Sequence, residues 1–411
     1  MLDRANFDQI DAGSASLHYP VQNLCQPPDR SINTVLGGFM SNKTTRRLTQ
    51  FMVASAIVAT SAVVVAQSPR SVDAAPPPVI TQPATQPAKA APDMQRVLDA
   101  LAGLGGKPIE TLTPAQARQQ PSAADGAKAA MQQQAMPTTP DPAVTTQDVP
   151  YGSDAMQFAR IYKPANAPAN RRLPVIVYYH GGGWVIANVD TYDAAPRAMS
   201  KALNAIVVSV EYRHAPEFKF PAQHDDAAAA YRWTLQNAAS WGGDPAKIGV
   251  AGESAGGNLA VATAIYARDN RLTVPRHIVS VYPIANSSMN LPSRRDSANA
   301  KPLNTPMLGW FGYYYQNSKA DGQDPRLNLV AANLRGLPPT TIINAQIDPL
   351  RSDGETLAAA MRKAGVRVEQ RTYPGVTHEF FGMAKVVRGA KEANDLAVAR
   401  LKGAFAGPVR K

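Results

Sequence analysis

The sequence predicts an α/β fold with a mostly parallel central sheet and helices on both faces. From Phe158 onward, short apolar runs alternate with helical patterns, and glycines follow directly on two of those runs. Six runs read as strands: 174–180 (PVIVYYH), 205–212 (AIVVSVEY), 248–252 (IGVAG), 277–283 (HIVSVYP), 340–345 (TTIINA) and 366–373 (VRVEQRTY). Helical patterns such as 225–238 and 353–364 lie between them. Sheets of this kind bind ligands beyond the carboxyl ends of their strands, so reactive residues are expected there.

The chain has 411 residues, and 45% apolar content is enough for a sizeable core. The formal net charge of +11 is spread in pairs such as Arg171-Arg172 and Arg294-Arg295, not in basic runs, which argues against a nucleic-acid partner. Cys25 is the single cysteine, so the chain can form no intrachain disulfide, thiolate zinc site or thiol redox couple. Four segments are expected. Lys43, Arg46 and Arg47 precede an uncharged, mostly apolar stretch over 51–66 that ends in small residues spaced for cleavage, the layout of a signal peptide over 40–66. The Arg46-Arg47 pair also fits a twin-arginine signal. Ser55, Thr60 and Ser61 make the stretch short of a membrane span, so the mature protein is expected in the periplasm or outside the cell, with no stable span. Met40 then fits as the true start, with 1–39 a mis-assigned upstream extension. Seven prolines among Ala, Thr and Gln make 67–92 an extended linker. The folded domain is 93–411. It opens with Met94, Val97, Leu98, Leu101 and Leu104 at helical spacing before Gly105, and a second helical patch follows Pro114.

IGVAG, then ESAGG, then NLAVATAIYA places Ser254 at a sharp strand-to-helix turn. A nucleophile there has a strained backbone, and side chains at 252 or 256 would strike the neighbouring strand or helix, which accounts for Gly252 and Gly256. A serine needs a base held in one tautomer. Of the six histidines, His18 lies in the part removed, while His180, His214 and His224 precede the serine. His277 comes too soon after it to leave a later strand for an acid. His378, in the loop PGVTHEFFG past the last strand, is the candidate base. Asp348 ends the preceding strand and is the candidate acid. Its competitor Asp353 falls in a helix N-terminal region, where a capping or dipole role is expected. An oxyanion hole needs amides with close backbone approach. Gly181 and Gly182 after the first strand, with Ala255 after the nucleophile, are its candidates. The same glycines lack the following Gly-Lys-Ser/Thr of a phosphate loop and the spacing of a dinucleotide fingerprint. His180 reads as a residue that braces the loop.

Together these residues resemble the hormone-sensitive-lipase-like branch of the α/β-hydrolase superfamily, the bacterial carboxylesterases. The likeness runs from about 93 to 404 and includes HGGGW at His180, the segment from Tyr212-Arg213 to Ala215-Pro216-Glu217, FPA at Phe220, WGGDPAKI at Trp241, GESAGGNLA, DPL at Asp348 and GVTHEF. It implies an α/β-hydrolase fold with a helical cap, to which 94–119 and 286–315 contribute. Trp184, Trp310, Phe311 and the three tyrosines 313–315 are then candidates for the pocket wall or the core. It also implies hydrolysis of short-to-medium-chain carboxylic esters, with a small-molecule ester as partner and no cofactor or metal. A lactonase or acyltransferase would use the same residues, whereas the family's non-catalytic receptors lack the histidine present here as His378. Glu253 where the family commonly has Asp, His214 in place of an apolar residue and Ser352 in place of an acid depart from the pattern. The sequence does not set the oligomeric state.

Overall fold

Runs such as 175–179 and 206–210 carry apolar side chains at consecutive positions, so strands built from them need cover on both faces. The computed structural model describes residues 88–168 and 170–407. The upstream extension, the signal peptide and the linker up to residue 87 lie outside the described residues. Eight strands form one sheet: β1 Val144–Pro150, β2 Phe158–Pro164, β3 Leu173–Tyr179, β4 Ile206–Val210, β5 Gly243–Glu253, β6 Ile278–Val281, β7 Thr340–Ile347 and β8 Val368–Thr377. Their order is β1-β2-β4-β3-β5-β6-β7-β8. The pairings of β2 with β1 and β4 are antiparallel and all others parallel.

All six expected strands are present, with ends moved by a few residues. β1 and β2 were not singled out in the sequence. β1 buries only Val144 fully, so an edge strand of this kind carries no apolar run to announce it.

The helices are α1 Pro92–Gly103, α2 Pro114–Ala117, α3 Ala123–Gln133, α4 Ala194–Leu203, α5 Ala222–Asn237, α6 Ala255–Asp269, α7 Pro292–Asp296, α8 Thr305–Tyr315, α9 Arg351–Lys363 and α10 Arg388–Ala406. The two-residue period of β3 sorts them. Val175, Val177 and Tyr179 pack with α5, α6 and α9 on one face, and Ile176 and Tyr178 with α4 and α10 on the other. Each fully buried aliphatic side chain in these layers contributes about 1.5–3 kcal/mol. Among the described residues no helix is long and apolar enough to cross a membrane.

Helices α1, α2, α3, α7 and α8 lie toward the carboxyl ends of the parallel strands and form the cap, which extends past the expected limit at 119 to include α3. Two short helices in this region start from capping boxes, Thr113 with Gln116 and Ser122 with Asp125, which fix where the chain turns. α1 is tied to the body by the Ala91 amide, which donates to the Gly375 carbonyl at 2.7 Å.

The body's tightest approach is at α6. A Cβ on Gly256 would overlap the carbonyl oxygens of Tyr179 and His180, and one on Gly252 the carbonyl of Gly256. Gly256→Ala is therefore expected to destabilise the protein by about 2 kcal/mol or more. Gly403→Ala, where a Cβ meets nothing within 4 Å in helix α10, should leave the melting temperature unchanged or slightly raised. Thermal unfolding followed by circular dichroism checks both, and equal melting temperatures would contradict the close-approach account.

Candidate active site

Parallel strands bring their carboxyl ends to one edge, and four loops there carry the candidate residues: His180–Gly183 after β3, Ser254 after β5, Asp348 after β7 and His378 after β8. Ser254 has φ 56° and ψ −117°, a conformation that non-glycine residues avoid. The strain is held by packing and by three backbone bonds: its amide donates to Val281 O at 2.9 Å, and its carbonyl accepts from the Asn258 amide at 3.1 Å and the Ile284 amide at 3.4 Å. The side chain caps no helical amide and points instead to His378.

Ser254 Oγ lies 3.0 Å from His378 Nε2, and His378 Nδ1 lies 2.7 Å from Asp348 Oδ2. The carboxylate only accepts, so Nδ1 carries the proton and Nε2 presents its lone pair to the serine hydroxyl. The second carboxylate oxygen accepts from the Leu350 amide at 2.7 Å, which fixes the plane of the acid. All three side chains are buried. Burial pushes the His378 imidazole down, but the Asp348 charge and hydrogen bond, with Glu379 and Glu253 behind them, reverse this and raise it above 6.5.

The glycine loop is shaped by its own backbone. Gly182 and Gly183 have φ of +94° and +59°, and the Gly182 carbonyl accepts from the Val185 and Ile186 amides. His180 braces it as expected: the imidazole stacks on Tyr212 at 4.2 Å, and Tyr212 Oη donates to the His180 carbonyl at 2.9 Å. Among the described residues the Gly181 and Gly182 amides donate to no protein acceptor. Ala255 is buried as the first residue of α6.

A cavity of about 1230 Å³ opens over this edge. Ser254, His378, Gly182 and Gly183 border it on the body side, and Leu303, Met307, Leu308 and Phe311 among the cap residues. Of the aromatic candidates only Phe311 reaches this wall. Trp184 and Tyr315 stack on each other in the core at 4.3 Å, and Trp310 donates to the Leu112 carbonyl inside the cap. Tyr313 and Tyr314 border a separate shallow pocket on the cap.

Asp353 lies in the first turn of α9 as expected, where its charge suits the helix dipole, but it caps no amide of that helix. Fully buried, it accepts from the amides of Ala285 and Asn286 at 3.1 Å and pairs with Arg294 at 2.8 Å. It stands apart from His378 and pins the cap segment after β6.

Sequence reasoning missed a second layer behind His378. Glu253, adjacent to Ser254, is fully enclosed and accepts from Tyr178 Oη and Tyr282 Oη. Burial, reinforced by the charge of Glu379, pushes its carboxyl up to about 8. Glu379 accepts from Tyr192 at 2.7 Å, and the Tyr282 ring lies 4.4 Å from the His378 ring. The available signal was adjacency, since both acids are direct chain neighbours of Ser254 and His378.

Residues 176–382 match the family described as the alpha/beta hydrolase fold. The chain is 38% identical over 332 residues to carboxylesterase NlhH of Mycobacterium tuberculosis, covering 78% of this chain and 99% of that one. The chain belongs to the hormone-sensitive-lipase-like α/β hydrolases. Ethyl acetate hydrolase of Pseudomonas putida is 32% identical, covering 59% of this α/β hydrolase and 77% of the relative. The solved structure of a hyperthermophilic esterase from the archaeon Pyrobaculum calidifontis superposes with a TM-score of 0.68 at 33% identity, covering 78% of this chain and all of that one.

Glu253 gives the hydrolase a pH-dependent stability. Its carboxyl ordinarily titrates near 4.5, so between that pH and about 8 the folded state holds a proton that the unfolded state has released. The contribution is complete below 4.5 and is lost as pH rises through about 8. The melting temperature of wild type is expected to fall across this range more steeply than that of Glu253→Gln. Parallel slopes in a thermal-shift series from pH 5 to 9 would refute the assignment.

Proposed function

We propose that this chain is a serine carboxylesterase that hydrolyses short-to-medium-chain carboxylic esters through an acyl-enzyme intermediate. The observation that carries the reading is the unbroken relay from Ser254 Oγ through both nitrogens of His378 to Asp348, at 3.0 and 2.7 Å. In this mechanism Ser254 Oγ attacks the acyl carbon while His378 Nε2 takes its proton. Asp348 holds the imidazole in one tautomer and stabilises the imidazolium. The amides of Gly181, Gly182 and Ala255 receive the developing oxyanion, each donor contributing about 10²–10³ in rate. His378 then returns the proton to the leaving alcohol, and a water activated by the same nitrogen releases the acid. That the chain acts on ester bonds accords with its family and with relatives named as esterases.

The cavity offers room for the ester's chains. Leu303, Met307, Leu308 and Phe311 give its cap side an apolar surface for an acyl or alkyl chain. The first test is hydrolysis of a p-nitrophenyl series from acetate to palmitate by wild type and Ser254→Ala. Activity should peak at the short end and fall by about 10⁴-fold or more in the variant. Because the base must be neutral to accept the serine proton and His378 is raised above 6.5, kcat/KM should rise with pH with its midpoint above 6.5. A long-chain optimum would sink the size preference, and undiminished activity in Ser254→Ala would sink the mechanism.

We also propose export of the enzyme to the periplasm or beyond, on the strength of the basic, apolar and small-residue succession over 40–66. Mass spectrometry of the protein recovered from its native host should find an N-terminus just after Ala66. An N-terminus at Met1 or Met40 would refute cleavage.

A further inference from the structure

His180, Glu211 and His214 form a second cluster behind the glycine loop, with ligand-type atoms all within 4.8 Å of one another. All three residues are buried, and none borders the substrate cavity. His180 Nδ1 lies 2.8 Å from the Gly181 carbonyl, an oxygen that can only accept. This nitrogen therefore carries the proton, and Nε2 presents a lone pair. Facing it at 3.6 Å is Glu211 Oε1, which also offers only lone pairs. His214 Nε2 approaches the same oxygen at 3.2 Å, from a ring nearly perpendicular to that of His180. His180 Nε2, Glu211 Oε1 and His214 Nε2 make no hydrogen bond, so three buried polar atoms converge without a partner. A carboxylate oxygen and two imidazole nitrogens that converge without partners form a ligand set suited to a cation.

The geometry points to a buried divalent transition-metal site of the zinc class, with His180 Nε2, His214 Nε2 and Glu211 Oε1 as its protein ligands. Ligand atoms about 2.0–2.1 Å from a tetrahedral zinc stand about 3.3 Å apart, and the separations of 3.2 and 3.6 Å bracket that value. The outer partners are in place: Nδ1 of His180 donates to a backbone carbonyl, Tyr212 stacks on its ring, and the other Glu211 oxygen accepts from the Val189 amide at 2.9 Å. Two imidazoles and a carboxylate without a thiolate suit zinc, cobalt or nickel, and the fourth tetrahedral position goes to solvent. Away from the cavity, the ion is structural. It ties the loop that opens with His180 to the segment that follows β4. The sequence expectation of no metal did not foresee this, because His214 is an isolated departure from the family pattern and its neighbours in space lie on another loop.

The test uses the full chain without an affinity tag, produced with zinc in the medium and freed of loose metal on a chelating resin. Mass spectrometry of the metal content is expected to find about one zinc per chain in wild type and less than about a tenth of that in His214→Leu. X-ray absorption at the zinc edge should give nitrogen and oxygen neighbours with imidazole scattering. Dipicolinate should lower the melting temperature of wild type and leave that of His214→Leu unmoved. If His214→Leu does not fold, the wild-type absorption spectrum and a chelator competition decide. Equal zinc in the two proteins, a shell without imidazole, or a zinc dissociation constant weaker than about 10 µM overturns the site and leaves a proton as the cation between Glu211 and the histidines.

Discussion

The end of β3 and the start of α6 meet so closely that no side chain fits between them. The carbonyls of Tyr179 and His180 occupy the space a Cβ on Gly256 would take, and Gly252 is held by the carbonyl of Gly256 in turn. Everything reactive follows from this contact. It forces the turn between β5 and α6 to be tight, which places Ser254 in a conformation its own preferences oppose. It also fixes the glycine loop beside the nucleophile, since that loop begins where the contact ends. Once these two loops are set, the parallel order of the sheet brings the ends of β7 and β8, with Asp348 and His378, to the same edge.

The electrostatics are built around a single imidazole. Asp348 holds one nitrogen of His378, while Glu253 and Glu379 lie behind it with three tyrosine hydroxyls donating to them. Three ionised carboxylates around one buried histidine would repel one another in a medium of low dielectric. The protein avoids that by burying Glu253 deeply enough to keep its proton to about pH 8. The carboxyl then supports the elbow through its tyrosines without adding a full charge beside the base. Burial first, and the charge of Glu379 after it, raise Glu253, whereas the Asp348 carboxylate raises His378 against its own burial.

Much of the site was legible because topology constrains it strongly. Once a strand, a turn with flanking glycines and a helix place Ser254, chain order and strand ends leave few places for Asp348 and His378. Distances of 3.0 and 2.7 Å join them. The edge strand β1 and the helix α3 were less visible, since mostly exposed or alanine-rich segments carry a faint apolar signal. Aromatic residues were the least legible. Trp184 and Phe311 look alike as large apolar side chains, yet one stacks in the core and the other faces the cavity. Only the path of the backbone decides between them. Asp353 was legible only in part for a related reason: its place in the first turn of a helix suggests a cap, but the carboxylate turns outward to the loop after β6.

That loop shows why the cap is not an independent lid. Arg294 in α7 pairs with Asp353 and also donates to the Pro349 carbonyl, one residue from Asp348, and Ser293 Oγ donates to that carbonyl as well at 2.7 Å. On the other side, Arg118 at the end of α2 donates to the carbonyls of Val185 and Ala215 at 2.9 and 2.8 Å, next to the glycine loop. Its pairing with the exposed Glu217 adds little by comparison, because solvent screens it. The cap is therefore anchored to backbone on both flanks of the reactive edge, at the loop that orients Asp348 and near the loop that presents the amides. A movement of the cap large enough to break these bonds would leave buried or half-buried carbonyls without donors, at a cost of about 1–3 kcal/mol each. Substrate entry by small adjustments of cap side chains avoids that cost, and it leaves the geometry of the triad undisturbed between turnovers.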